Sequence, residues 1–67
     1  MPRVAKCLAF DGATELCLVR LESGEYAIGD GPVLDMKVTL IGEVDSNYTA
    51  TRLRYEREVE KLRKVRL

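Results

Sequence analysis

Apolar and polar side chains alternate through the first fifty-odd positions, with the two-residue period of a strand that rests one face on a core. Residues 3–10 (R-V-A-K-C-L-A-F) read as a strand with Val4, Leu8 and Phe10 on one face and Lys6 intruding. Asp11-Gly12 is a hairpin signal, because a tight turn needs φ > 0 at both central positions. Residues 15–22 form the returning strand, whose run E-L-C-L-V-R-L is nearly continuous in apolar residues and predicts burial on both faces. Ser23-Gly24 turns the chain into a short strand at 25–29. Gly29-Asp30-Gly31-Pro32 then breaks regular structure, since glycine frees the backbone and proline removes a donor. Residues 36–44 make the clearest strand: Met36, Val38 and Leu40 point one way, and Lys37, Thr39 and Ile41 the other. Gly42 predicts a bulge or a close backbone approach there. Asp45-Ser46-Asn47 is turn chemistry.

The segment Tyr48 to Tyr55 (Y-T-A-T-R-L-R-Y) reads as a fifth strand, 48–55, on its two threonines and two tyrosines. A helix beginning there has no acid in its first turn and no capping box to start it. From 56 to 66 the spacing changes to helical, with Val59 and Leu62, then Val65 or Arg66, in one stripe and Glu60 four residues before Lys64. The expected fold is mainly β: a small antiparallel five-stranded open barrel, SH3-like or a curled sheet, closed by a C-terminal α-helix. With 67 residues the chain is expected to be a single domain, 1–67. A chain of about 60 residues hides only roughly 60 % of its unfolded surface, so a partner subunit is a natural source of extra stability.

Composition narrows the chemistry. The chain has no His and no Trp, so the usual general acid–base and the commonest metal ligand are both absent. A non-enzymatic protein without cofactor or metal is expected. Cys7 and Cys17 are the two thiols, too few to close a structural zinc site within one chain. A two-residue loop at Asp11-Gly12 puts Cys7 opposite Leu16, a three-residue loop puts it opposite Cys17, and a four-residue loop pairs Arg3 with Glu22 and separates the thiols. Two reduced, buried cysteines are the expectation, in keeping with a cytoplasmic chain. The N-terminus runs into the alternating pattern without a long apolar stretch, and no apolar run nears the roughly 20 residues of a membrane span.

Net charge is zero, yet its distribution is uneven. Residues 1–44 carry four Lys/Arg against seven acids, and residues 45–67 carry seven Lys/Arg against four acids. The expected site for nucleic acid is therefore the basic C-terminal set Tyr48, Arg52, Arg54, Arg57, Lys61, Arg63 and Lys64, with Arg66 beyond. In a strand, Tyr48, Arg52 and Arg54 share a face, and cations beside an aromatic ring suit a phosphate backbone and its unstacked bases. Glu56, Glu58 and Glu60 interrupt the set, which is also what a solvated helix looks like. The functional expectation is a small regulatory module of transcription or translation that binds nucleic acid. The alternative is a protein-interaction or self-assembling module, a homo-oligomer whose oppositely charged halves meet head to tail.

Two likenesses add to this. The element order (hairpin, further strands, C-terminal helix) resembles the layout of the small archaeal chromatin proteins with an SH3-like barrel, although those are Lys-rich and basic overall. Arg20, Gly24-Glu25, Ile28-Gly29-Asp30 and Val38-Thr39 are similar to the start of the carbon-storage regulator family of RNA-binding dimers. That match covers under half of the chain and lacks the family's later Gly-Ile and Ala-Pro signatures. Both resemblances imply nucleic-acid binding.

Overall fold

A computed structural model describes residues 3–31 and 38–66. Four strands precede one helix: β1 (Val4–Asp11), β2 (Leu16–Leu21), β3 (Tyr26–Asp30), β4 (Thr39–Asp45) and α1 (Tyr48–Arg66). The strands form one antiparallel sheet in the order β1-β2-β3-β4, so β1 and β4 are its edges. The fold is mainly β with a C-terminal helix, as expected. Two parts of the expectation need correction. There are four strands among the described residues, not five, and they make an open sheet rather than a barrel. Residues 48–55 are the first two turns of α1, not a strand. Of the strand expected at 36–44, Met36 and Lys37 lie outside the described residues.

Central strand β2 carries the core. Leu16, Cys17, Leu18, Val19 and Leu21 are all buried, which matches the expectation of burial on both faces. On one face Leu16, Leu18 and Ile28 pack with Tyr55 of α1, joined by Ala9, Ile41, Val59 and Leu62. On the other, Cys17, Val19, Leu21 and Ala27 pack with Val4, Cys7, Val38 and Leu40. The alternation read for β4 is therefore kept, with Val38 and Leu40 on one side and Ile41 on the other. Burying a Leu or Ile is worth about 1.5–3 kcal/mol, so these two clusters supply most of the drive for folding.

The β1–β2 hairpin keeps the four-residue-loop register only at its open end, where the Glu22 amide donates to the Arg3 carbonyl at 2.9 Å and Val4 pairs with Leu21, and departs from every expected register near the turn. Asp11 pairs with Leu16 across a loop of residues 12–15, so the turn sits later than a tight Asp-Gly turn places it. The Asp11 carboxylate accepts from the Thr14 amide at 3.0 Å and the Thr14 hydroxyl at 2.7 Å. Asp11 builds the turn with its side chain, an Asx-type arrangement, where the sequence reading used only its backbone. Glu15 closes the loop at φ 62, its amide donating to the Asp11 carbonyl at 2.8 Å. Toward its start β1 carries irregularities between Val4 and Lys6 and between Cys7 and Ala9. Each adds a residue to β1 and changes which face follows, so Cys7 joins one cluster and Ala9 the other, while Leu8 and Phe10 are exposed. Cys7 pairs with Val19 and Cys17 with Phe10, and both thiols are free.

Helix α1 starts at Tyr48 because Asn47 caps it. The Asn47 side-chain oxygen accepts from the Ala50 amide at 3.0 Å, and the Asn47 carbonyl accepts from the Thr51 amide and hydroxyl. Thr51, Tyr55, Val59 and Leu62 then fall on one side and meet the sheet. The Tyr55 hydroxyl donates to the Leu16 carbonyl at 3.3 Å. This contact across the core outweighs the strand propensity of Thr and Tyr. Among the described residues no helix is long and apolar enough to cross a membrane.

Candidate nucleic-acid interface

Turning residues 48–55 into helix rearranges the seven expected site residues. A strand puts Arg52 and Arg54 side by side, whereas two helical steps separate them by about 200° around the axis. Arg54, Arg57, Lys61 and Lys64 lie within about 80° of one another, at spacings of three, four and three residues. They form one stripe roughly 15 Å long at 1.5 Å per residue. Arg52, Arg63 and Tyr48 lie away from it. Tyr48 turns toward the sheet, its ring meeting Tyr26 edge-on with centroids 5.3 Å apart.

The partners of each cation separate the set further. Arg63 binds Asp11, whose side chain is only 12 % exposed and which also holds the Thr14 bonds. The Thr14 hydroxyl foremost, with the Arg63 guanidinium, holds the Asp11 carboxyl below the usual carboxylate value. Arg63 thus ties the last turns of α1 to the β1–β2 loop and serves the fold. Arg52 pairs with Glu56 at 3.2 Å, Lys61 with Glu58 at 3.9 Å and Lys64 with Glu60 at 3.4 Å, all within the helix surface. Exposed pairs of this kind are worth about 0.3–0.5 kcal/mol, so an incoming polyanion displaces them at little cost. Arg57 has no ion pair among the described residues.

Arg54 is held differently. Its guanidinium donates to the Glu43 carbonyl of β4 at 3.1 Å. It reaches that carbonyl through the bulge expected from Gly42. Tyr26 pairs with Asp45 and Ile28 with Ile41, so β4 accommodates two extra residues in this stretch. Gly42 takes φ +74 there, and a Cβ on it would stand 2.5 Å from the Arg54 Nη2. The positive φ is what favours glycine here, and a Cβ would also push the flexible Arg54 tip aside. Beside it Ile28, Ile41, Gly42, Arg54, Arg57 and Glu58 line a cleft of about 320 Å³. Ile28, Ile41 and Glu58 were not legible as site residues, because they become neighbours only when the helix lies across β3 and β4. Gly42 did carry a signal, as the glycine that interrupts an otherwise regular strand.

Comparisons with protein-family models, with curated proteins and with solved structures find no match for this chain. The two resemblances read from the sequence assign no family.

Proposed function

We propose that this protein is a small non-enzymatic binding module whose helix α1 meets nucleic acid through Arg54, Arg57, Lys61 and Lys64. A role in regulating transcription or translation follows from such binding. The observation that carries the reading is the gathering of these four cations on one side of the helix, with Arg57, Lys61 and Lys64 turned from the sheet and Arg54 at its margin against β4. Arg57 stands without an ion pair among the described residues, and the lysines are held only by weak exposed pairs. The absence of His supports a role without acid–base catalysis. Burial pushes the Cys17 thiol up to about 11, the reverse of what activates a nucleophile. Free thiols suit a reducing compartment such as the cytoplasm.

The test is a titration of a labelled mixed-sequence oligonucleotide at several salt concentrations. Three or four phosphate contacts predict a slope of log affinity against log salt of about −2 to −3 for a single strand. A flat response, or no binding at low salt, removes the reading.

One observation favours a second reading, assembly with another copy of the chain. Edge strand β1 exposes Leu8 and Phe10, and an open sheet edge with apolar side chains is a ready pairing surface. Sedimentation equilibrium decides it: a mass rising with concentration supports assembly, and a strict monomer at high concentration rejects it. The two readings are compatible, since a second copy would double the basic stripe.

A further inference from the structure

The cleft at the Arg54 end of the stripe deepens the proposal just made and rests on it. A plain charge stripe binds any polyanion, but this one ends in a shaped site. It is lined by Ile41, Gly42, Arg54, Arg57 and Glu58, with the buried Ile28 behind them. The volume of about 320 Å³ is at the small end of ligand pockets, which run from about 300 to 1,000 Å³. The Arg54 guanidinium donates to the Glu43 carbonyl, which orients it beside the cleft. Planar guanidiniums stack on flat rings, the half-buried Ile41 offers apolar contact, and a carboxylate accepts from an amine edge.

Width is the second constraint. On the helical wheel Glu56 and Glu60 border the cationic stripe on one side and Glu58 on the other, confining it to about 80°. Such a track fits one sugar–phosphate backbone. A duplex can also lay one of its two backbones on such a track, so the cleft is what separates the two ligands.

We infer that the ligand is a single-stranded nucleic acid, with its backbone along Arg57, Lys61 and Lys64 and one unpaired base seated in the cleft between the sheet and Arg54–Arg57. A duplex keeps its base faces stacked and cannot fill that cleft, and a polyphosphate has no base to offer.

The experiment compares a labelled mixed-sequence single strand, the same sequence as a duplex, and inorganic polyphosphate of equal charge, each against the full chain and Arg57→Lys. The variant keeps the charge and removes the planar stacking surface, and it changes an exposed helix position that no core contact needs. The single strand is expected to bind about tenfold tighter than either competitor. Arg57→Lys should weaken single-strand binding several-fold more than it weakens polyphosphate binding. Equal binding of all three polyanions, or a single-strand affinity indifferent to Arg57→Lys, overturns the base-binding cleft while leaving the charge stripe standing. Failure to bind any of them overturns the proposed function itself.

Discussion

Asp11 joins three parts of the chain at one carboxylate: its own turn through Thr14, the strand it ends, and α1 through Arg63. Because the Thr14 hydroxyl and the Arg63 guanidinium lower its pKa, the folded carboxyl gives up its proton more readily than the unfolded one. The native state then holds fewer protons across the interval between the two values. The stabilisation is full above the ordinary value of 3.8 and is lost as pH falls through the folded value. The stability gap between the wild type and Asp11→Asn should therefore be constant near neutrality and shrink below about pH 4, as read by urea melts at several pH values. A gap unchanged down to pH 2 would show that the charge does not matter. Cys17 carries the opposite sign. Burial first, and then the neighbouring Cys7 thiol, raise it from 9.0 to about 11, so its contribution is full below pH 9 and lost as pH climbs toward 11. Within the native state Cys17 should resist alkylation at neutral pH while Cys7, half-buried, reacts first. Mass mapping of the labelled thiols checks the order.

At the scale of elements, the strands were legible and the helix start was not. Strand β2 could be read because an unbroken apolar run fits only a central strand with a core on each face, and both clusters are present. Strand β4 could be read down to the side taken by Val38, Leu40 and Ile41, since alternation survives wherever no bulge intervenes. In β1 alternation cannot show an added residue: Leu8 falls at one and is exposed, while Phe10, back on the side of Val4, is exposed at the sheet edge. For α1 the missing acid in the first turn was given too much weight. Asn47 is itself a strong N-cap, and Thr51, Tyr55, Val59 and Leu62 keep helical spacing from the first turn onward. Strand propensity and the missing first-turn acid together mask that stripe in the sequence. Because the seating of Arg54 and the cationic stripe both depend on this early start, the candidate site was legible in its residue types but not in its geometry. Asn47→Ala removes the cap and should cost about 1 kcal/mol, seen as a lower urea midpoint with the slope unchanged. An unaltered midpoint would mean that the helix draws nothing from Asn47.

For the molecule as a whole, one side of the helix covers the sheet and another is left for a ligand. Thr51, Tyr55, Val59 and Leu62 bind α1 to β2, β3 and β4, and this fixes the direction in which Arg54, Arg57, Lys61 and Lys64 point. The chain's zero net charge then matters little, because a ligand responds to the local field and not to the total. Long-range attraction should be modest, so association should be slower than steered capture, while the affinity keeps its salt dependence through displaced counterions. The most direct test of this arrangement is the oligonucleotide affinity of Arg57→Ala/Lys61→Ala/Lys64→Ala measured beside that of Arg52→Ala at one low salt concentration. The triple change empties most of the stripe, and the single change removes a cation from another side of the same helix. A loss of at least about a hundredfold in the triple variant, with the Arg52 variant within about twofold of wild type, is the predicted outcome. Equal losses per charge removed, or binding retained by the triple variant, would contradict it.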